Sequence, residues 1–460
     1  MGSKWKTSFL TDHYSISSGL SKPAKDFGTG YPFLSFKDIF YNYFLPDSLT
    51  QLVQSTDKER ASCSVRRGDV FLTRTSETMH ELGMSSVALK DYTDATFNGF
   101  CKRLRPKETS ELEPEYVGYY LRSPVFRQSM LAFSTMSTRA SLNNEMISRL
   151  EISYPDRKIQ KKIANILLSL DEKIAISRAI NQTLEQISQT LFKSWFVDFD
   201  PVIDNALDAG NPIPEALHSR AELRQKVRNS ADFKPLPADI RALFTAEFEE
   251  TELGWVPRGW KEGSIPDIAF INSTSWGTKN QPDYVNYVDL SNTKDGIISS
   301  IEEIPFEDAP SRARRILKKD DLIFGLVRPA NRSFAYVHVD GLTGSTGFAV
   351  IRAKNKIYKN FIYYFVTYDK NIEELARIAD GGAYPAIKPD DIYSLPLIIP
   401  PEEIVQRFDE STSNFRDLMN NSLVQNDHLT TLRDTLLPKL ISGELSLEDL
   451  PDLVTQTEPA

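Results

Sequence analysis

A pattern of acidic residues near residue 156 is the strongest candidate for chemistry in this chain. Pro155-Asp156, followed by Asp171-Glu172-Lys173, resembles the PD…(D/E)xK arrangement of metal-dependent nucleases. The second part of the pattern falls in the middle of a predicted heptad helix and not on a strand beside Asp156. We therefore interpret these residues as solvated charges on a helix face.

Other reaction classes have no better candidates. The sequence contains no GxxxxGK[ST] or GxGxxG motif for phosphate or dinucleotide binding. The strings at 198–201 (DFDP) and 399–402 (IPPE) lack the pattern needed for base methylation. The two cysteines form no CxxC pair, and no histidine pair has metal-ligand spacing among His13, His80, His218, His338 and His428. The sequence predicts no catalytic residue, no metal site and no cofactor bound by this chain.

Two loop positions in each half of the chain carry side chains suited to binding DNA. One loop follows an apolar strand and the other precedes a last strand; the candidates are Arg74, Thr75, Ser76, Thr138, Arg139, Asn143, Asn144, Arg328, Asn331, Arg332, Ser333, Tyr384 and Lys388. Arginine and asparagine make bidentate contacts to guanine and adenine edges, and the hydroxyls bind phosphates. The alternative, that asparagine, serine and glycine only form turns in these loops, stays open.

An internal repeat places these loops at matching positions. Four matches occur in the same order, with offsets that shrink from 255 to 245 residues: Trp5 with Trp260, 66–71 with 318–323, 98–100 with 346–348, and 147–155 with 392–400. Such a series is typical of two copies of one domain that differ by loop insertions and deletions.

Each copy is followed by a predicted long helix. In the first, Ile163, Leu167, Leu170 and Ile174 are spaced 4-3-4, and Ile180, Leu184, Ile187 and Leu191 repeat that spacing after a one-residue shift. In the second, a heptad seam runs through Ile404, Phe408, Ser411, Phe415, Leu418, Ser422, Gln425, Leu429, Leu432 and Leu436. Residues 156–196 carry 7 basic and 4 acidic side chains, whereas 402–440 carry 4 and 7, so their charges favour pairing. A core-facing amphipathic helix is the alternative for either stretch.

Charge is distributed unevenly along the chain. The net charge of −9 comes mainly from 197–259 (7 basic, 12 acidic) and 401–460 (4 and 12). The two copies are near neutral, with 19 against 17 in residues 1–155 and 17 against 18 in 260–400. The proline-rich, acidic segment between the copies is predicted to be a tethering linker with one helix around 215–229. No stretch has the roughly 20 apolar residues of a membrane span, and a reducing cytosol suits two unpaired cysteines.

With these features in place, the sequence resembles the specificity subunit of type I restriction–modification systems. The resemblance covers nearly the whole chain and is most specific in residues 163–201, which end in LFKSWFVDFDP, and in 432–445 (LRDTLLPKLISGEL). The lead-in to the second copy, 252–260 (ELGWVPRGW), and the proline that closes each copy also match.

The resemblance implies a mixed α/β fold, with two repeated target recognition domains separated by a long antiparallel two-helix coiled coil. We assign residues 1–155 and 256–400 to the recognition domains, 156–198 and 401–443 to the family's central and C-terminal helices, 199–255 to a linker and 444–460 to an acidic tail. Each domain would read one half of a bipartite site in double-stranded DNA, and the helix length would set the spacing between the halves.

The resemblance also implies partners for a bacterial or archaeal cytoplasmic subunit that has no active site. The two helices would bind two modification subunits, which use S-adenosylmethionine, and restriction subunits that use ATP and magnesium would join them. The seam residues assigned to helix pairing and partner docking are Leu167, Leu170, Ile174, Leu184, Leu191, Phe192, Phe408, Phe415, Leu429, Leu432 and Leu436. Two alternatives are a scaffold of two ligand-binding modules that does not bind DNA, and a fused methyltransferase or nuclease that acts alone.

Overall fold

The computed structural model describes residues 5–76, 81–132, 140–445 and 447. The chain forms two compact units: the first comprises Met1–Ser177 and Val424–Ala460, and the second comprises Arg178–Leu423. Each unit contains one copy of the repeat together with part of both long helices. We describe the two units separately.

The first copy is a mixed α/β domain. Its elements are β1 (Lys6–Phe9), α1 (Leu10–His13), β2 (Tyr14–Ser18), β3 (Phe27–Leu34), α2 (Phe36–Tyr41), β4 (Gln51–Val53), α3 (Asp57–Ser62), β5 (Val70–Thr73), β6 (Thr75–Ser76), β7 (Ser85–Val87), β8 (Thr96–Phe97), β9 (Cys101–Pro106), α4 (Pro114–Tyr120), α5 (Pro124–Ala132), β10 (Ala140–Ser141), α6 (Asn144–Ser148) and β11 (Glu151–Tyr154). The main sheet has the order β2-β9-β5-β7, and β1 pairs antiparallel with β11. The four residues of β5 are all buried, as expected for a central strand.

The long helices and the segment after the first of them follow. They are α7 (Arg157–Phe196), α8 (Asp200–Ala209), α9 (His218–Arg228), α10 (Ala238–Arg241), β12 (Phe248–Thr251) and β13 (Gly254–Pro257). The second copy contains β14 (Lys261–Gly263), α11 (Ile265–Ile268), β15 (Ala269–Ile271), β16 (Tyr284–Val288), β17 (Thr293–Lys294), β18 (Ile297–Ile298), β19 (Glu302–Pro305), β20 (Ala313–Ile316), β21 (Leu322–Gly325), β22 (Phe334–Tyr336), β23 (Leu342–Ser345), β24 (Phe348–Ala353), α12 (Lys359–Val366), α13 (Asp369–Ile378), α14 (Pro389–Tyr393), β25 (Leu397–Ile399) and finally α15 (Glu402–Ser442).

The internal repeat is present in the sheets of both copies. The second copy has the order β15-β24-β21-β22, and β14 pairs with β25, which reproduces the first copy strand for strand. A buried ion pair is repeated as well: Arg105 lies 2.6 Å from Asp69, and Arg352 lies 2.7 Å from Asp321. The predicted match of residues 98–100 with 346–348 was wrong by one residue. Thr73 pairs with Cys101 and the equivalent Gly325 pairs with Phe348, so Cys101 and not Phe100 corresponds to Phe348.

The two long helices run antiparallel within each unit. In the second unit, the amide of Asn181 donates to the backbone oxygen of Met419, and further along Phe192 packs against Phe408. In the first unit, Asp171 of α7 lies 2.7 Å from Arg433 of α15. The predicted mixed α/β fold with an antiparallel helix pair is therefore confirmed.

The buried stripe on the helices differs from the predicted seam. In α7 the buried stripe continues without the predicted one-residue shift. Ile180 and Ile187 are exposed, whereas the residues that follow them are half-buried (Asn181) and buried (Ser188). In α15 the predicted Ile404, Phe408 and Leu436 are buried near the two ends of the helix. Between them the buried residues include Thr412, Met419 and Asn426, each one position after the predicted Ser411, Leu418 and Gln425. The apolar pattern alone misplaced the stripe because polar residues occupy several buried positions.

The segment predicted to be a tethering linker is folded. Asp200, Asp204 and Asp208 recur every four residues on α8, and each pairs with an arginine 20 residues later, namely Arg220, Arg224 and Arg228. The constant separation means that α8 and α9 run parallel. Val202 and Ile203 of α8 are fully buried, and Val202 belongs to the core of the second unit. The sequence analysis considered only the number of acids and prolines and missed these three ion pairs. The signal was present as aspartates and arginines that each recur every four residues, 20 residues apart.

Candidate nucleic-acid interface

In the first copy, a short strand pair brings the two candidate loops together. β6 pairs antiparallel with β10, so that Thr75 lies opposite Ser141. The backbone N–H of Leu142 donates to the carbonyl oxygen of Arg74 at 2.7 Å. The loop after β5 and the loop before β11, which are about 70 residues apart in sequence, therefore form one surface.

The second copy contains the same arrangement at equivalent residues. The N–H of Ile387 donates to the carbonyl oxygen of Leu326 at 2.9 Å, and Val327 forms a bridge with Ala386. Leu326 and Ile387 are 252 and 245 residues after Arg74 and Leu142, which are the offsets of the repeat. Both copies thus use one backbone connection to hold two loops side by side, and the side chains of these loops differ between the copies.

The candidate side chains of the first copy differ in what they already bind. Arg74 is exposed, and within the described ranges its side chain has no hydrogen-bond or ion-pair partner. Asn143 is the N-cap of α6 and accepts from the backbone N–H of Met146, whereas Asn144 is exposed. Thr75 is half-buried in β6 beside Ser76, and Thr138 and Arg139 lie outside the described residues.

In the second copy, Arg328 organises the loop that carries Tyr384. Arg328 has a left-handed backbone with φ of 50°, and its guanidinium donates to the carbonyl oxygen of Ala383 at 2.7 Å. The guanidinium carbon lies 4.5 Å from the centroid of the Tyr384 ring, which is a cation–π contact. Tyr384 is 69% exposed, so the aromatic face is held in place yet open to a ligand.

Arg332 has two carboxylate partners of its own. Its guanidinium lies 2.6 Å from Asp295 and 2.6 Å from Asp369. Burial lowers the pKa of Arg332, but the two carboxylates outweigh burial and raise it. This arginine therefore anchors the turn, and its contact with DNA stays a prediction.

The other candidates of the second copy lie around the same turn. Asn331 is exposed at the end of the short 3₁₀ turn Pro329–Asn331, and Ser333 is half-buried, with its backbone oxygen accepting from the N–H of Gly325 at 2.7 Å. Lys388 is exposed and stands at the N-cap of α14, the position equivalent to Asn143.

The described candidates lie in or next to the two connections, although Thr75 and Ser76 form β6 and Asn144 is the first residue of α6. Arg74, Asn144, Asn331 and Tyr384 present exposed side chains without a side-chain hydrogen bond among the residues described. Arg328, Arg332 and Asn143, in contrast, already bond to the protein. Contact of any of them with DNA stays a prediction.

Two residues beside Arg74 were missed by the sequence analysis. The carbonyl oxygen of Phe100 accepts from the N–H of Arg74, and the Phe100 ring is 64% exposed. Lys102, on the next strand, is buried and donates to the hydroxyl of Ser18 at 2.9 Å. Burial and then the charge of Arg74 lower the pKa of Lys102. An aromatic residue directly before a buried strand was the available signal for Phe100; the burial of Lys102 had none.

The long helices hold each copy through a cluster of one tyrosine, one acid and one arginine. In the first unit, which contains what we call the first helix cluster, the Tyr119 hydroxyl donates to Asp171 at 2.6 Å, and Arg433 lies 2.7 Å from Asp171. Burial first, and then the hydrogen bond to Asp171, raise the pKa of Tyr119.

The second helix cluster, in the second unit, consists of Tyr364, Glu185 and Arg416. The Tyr364 hydroxyl donates to Glu185 at 3.2 Å, and Arg416 is 5% exposed, with its guanidinium carbon 4.1 Å from the ring centroids of Tyr336 and Tyr363. Burial lowers the pKa of Arg416, but the surrounding tyrosines and Glu185 outweigh burial and raise it.

The residues predicted for helix pairing and partner docking are buried or half-buried within this chain. Six are buried, namely Leu167, Leu170, Ile174, Phe192, Phe408 and Leu436, and five are half-buried, namely Leu184, Leu191, Phe415, Leu429 and Leu432. On the two long helices within the second unit, the large apolar side chains that are exposed include Ile180, Ile187 and Leu418. Docking of a partner subunit on these residues stays a prediction.

Two further features of the described part of the chain bear on chemistry. Over those residues, no three or more histidine, cysteine, aspartate or glutamate side chains are grouped so as to hold a metal ion. In the same residues, no helix is both long and apolar enough to cross a membrane.

Comparison with known proteins gives consistent matches. Residues 2–186 match the family model described as the type I restriction modification DNA specificity domain. The chain is 27% identical to the HindI specificity subunit of Haemophilus influenzae, over 96% of this chain and 100% of that protein. It is 24% identical to the MjaIX specificity subunit of Methanocaldococcus jannaschii, over 97% and 94%.

A solved structure shares the fold. The type I restriction–modification S subunit from M. genitalium superposes with a TM-score of 0.53 and 13% identity, and it covers 95% of this chain and 96% of that one. The family model, the near full-length relatives and the repeated domain with its helix pair agree with one another. Over nearly its whole length this chain is similar to type I restriction enzyme specificity subunits, and residues 2–186 match the family's DNA specificity domain.

Proposed function

We propose that this chain reads a bipartite DNA target and carries no catalytic residue of its own. Residues 1–155 would bind one half-site and residues 256–400 the other, through the paired loops of each copy. The observation that supports this best is the backbone connection from Leu142 to Arg74, repeated from Ile387 to Leu326. A shared frame with different side chains is what two readers of different half-sites require.

The side chains around these loops fit direct readout. Arg74 and Asn144 in the first copy offer donors for base edges, and the ring of Phe100 lies beside Arg74. Tyr384 offers a positioned aromatic face in the second copy. The near-neutral charge of both copies means that binding affinity draws on partner subunits as well as on this chain.

Chemistry would be supplied by partner subunits in a bacterial or archaeal cytoplasm. Two modification subunits, with S-adenosylmethionine, would bind the outward face of the helix pair, where Ile180, Ile187 and Leu418 are exposed. Restriction subunits would contribute ATP- and magnesium-dependent translocation and cutting. The chain itself would bind double-stranded DNA and no cofactor.

The experiment is a filter-binding selection with the chain and its two modification subunits. A random duplex pool is retained at low and at high salt, and the retained DNA is sequenced. We expect retention that falls linearly with the logarithm of salt concentration and a selected motif in two parts separated by a fixed gap. Salt-independent or absent retention would favour a scaffold that does not bind DNA, and a single continuous motif would exclude two readers.

A second measurement tests the absence of catalysis. The purified chain alone is incubated with labelled S-adenosylmethionine, magnesium and a duplex that carries the selected motif. We expect neither methyl transfer nor cutting, and both activities should depend on adding the partner subunits. Either product from the chain alone would contradict the proposal.

A further inference from the structure

The two helix clusters have opposite charges at equivalent positions of the repeat. The offset of 245 residues that relates the two copies pairs Tyr119 with Tyr364 and Asp171 with Arg416. The first helix cluster thus has an acid on its own copy's helix and Arg433 from the other helix. The second helix cluster has an arginine on its own copy's helix and Glu185 from the other.

Several other buried positions are apolar on both helices. The same offset pairs Ile174 with Met419 and Phe192 with Leu437, so that an apolar residue would replace an apolar one if α7 of a second copy took the place of α15. Two pairs differ in polarity, because Gln160 corresponds to Val405 and Leu167 to Thr412. Hydrophobicity therefore supplies only part of the discrimination between the two pairings.

The charges, in contrast, fit one pairing only. If α7 paired with α7 of a second copy in the same antiparallel geometry, Asp171 would take the place of Arg416 and face Glu185 beside a tyrosine. If α15 paired with another α15, Arg416 would take the place of Asp171 and face Arg433. Each same-helix pair would bring like charges together, whereas the observed pair joins opposite ones.

These charges lie where repulsion is poorly screened. The side chains of Arg433 and Asp171 are 16% and 26% exposed, and Arg416 is almost fully buried. Interactions between charges that are largely removed from water are stronger and less sensitive to salt than those on the surface. A like-charged pair at these positions is therefore strongly disfavoured.

We propose that the two helix clusters select pairing between the two different long helices of one chain and exclude pairing with the same helix of a second copy. The surface concerned is the facing side of α7 and α15, and the excluded partner is an identical chain. This proposal does not depend on DNA binding.

The test exchanges the charges of the first helix cluster in the full chain. In Asp171→Arg/Arg433→Asp, opposite charges still meet within the chain. The guanidinium introduced at position 171 would now attract Glu185 of a second copy, however, and the carboxylate introduced at position 433 would attract Arg416. Variant and wild type are refolded from denaturant at equal concentrations, and their masses are measured by light scattering. We expect a fraction of associated chains on the order of tenfold higher than in wild type, with a melting temperature close to that of wild type.

A milder variant keeps the proposal testable if the exchange impairs folding. Glu185→Gln retains an acceptor for the Tyr364 hydroxyl but removes one of the two like charges in an α7–α7 pair. We expect a smaller rise in association, with cross-links between the Lys173 residues of differently labelled copies. The matched control, Glu374→Arg/Arg377→Glu, exchanges an exposed ion pair on α13 and should leave the mass distribution unchanged. If neither cluster variant associates more than wild type, the proposal is wrong.

Discussion

The guanidinium of Arg328 stacks 4.5 Å from the centroid of the Tyr384 ring and also donates a hydrogen bond to the backbone oxygen of Ala383. One side chain thus fixes both the path of the loop and the face of its aromatic residue. Gly381 and Gly382, with φ of 123° and 55°, give this loop the turn that other residues rarely adopt. The relationship makes Arg328 a positioning residue, and Tyr384 the residue that it presents.

Replacing Arg328 with alanine should weaken binding of the selected DNA through the second half-site only. We expect a loss of about 1–3 kcal/mol, and Arg328→Lys should not restore it, because lysine lacks the planar fork that stacks and donates at once. Competition binding with duplexes that carry one altered half-site measures this. Arg74→Ala is the matched control and should act through the first half-site; equal effects of one substitution on both halves would contradict the two-reader model.

Replacing Tyr384 separates contact from loop structure. Tyr384→Leu should lower the affinity for duplex DNA by about 1 kcal/mol, because the planar ring would no longer pack against base edges and backbone in the groove. Thermal unfolding should be nearly unchanged because the ring is exposed. Tyr384→Phe keeps the aromatic face and should bind nearly as well as wild type. A variant with leucine that binds normally would remove Tyr384 from the interface.

Breaking one repeated buried ion pair should destabilise the corresponding copy. Asp69 is fully buried and accepts from Arg105 and from the N–H of Arg66, so Arg105→Met leaves a buried carboxylate without its cation. We expect a loss of about 3–5 kcal/mol in the free energy of unfolding. Arg352→Met should do the same to the second copy, and chemical denaturation with hydrogen exchange identifies which copy opens. The exposed control Arg149→Met should cost less than about 1 kcal/mol.

The folded state of residues 199–255 predicts a proteolysis result. Arg224→Ala removes both guanidinium hydrogen bonds to Asp204, whose side chain is only 10% exposed, and should loosen α9 from α8. We expect faster cleavage by a protease between residues 210 and 235, with the rest of the chain protected. Lys226→Ala on the exposed side of the same helix is the control. Cleavage of the two variants at the same rate would show that the Arg224–Asp204 ion pair does not stabilise the packing of α9 on α8.

His338 should make stability depend on pH in the acid range. Burial and then the charge of Arg416 lower the pKa of His338 to about 4. The unfolded chain, with a histidine pKa near 6.5, binds a proton more readily. Above about pH 6.5, His338 is neutral in both states and does not reduce the free energy of unfolding. As the pH falls towards 4, protonation of His338 in the unfolded chain lowers that free energy by up to about 3 kcal/mol. Denaturation midpoints of His338→Gln should fall less steeply over this range than those of wild type, and equal slopes would contradict the prediction.

The fold was predictable from local patterns, and the site only in part. The repeat was detectable because equivalent strands such as Val70–Thr73 and Leu322–Gly325 keep their apolar residues and turn residues. The loops around Arg74 and Arg328 followed from their position after these strands. The tertiary bonds of Arg332 could not be inferred, since its partners Asp295 and Asp369 lie 37 residues away on either side.

The sequence by itself determined the two copies and the two long helices, because apolar periodicity and the turn residues that end each element are local features of neighbouring residues. Only the tertiary structure decided which stripe of each helix is buried, that residues 199–255 are folded, and which charges meet. Those outcomes depend on residues far apart in the chain, such as Asp171 and Arg433. An ion pair or a buried polar residue is stabilised by its surroundings, which no local pattern records.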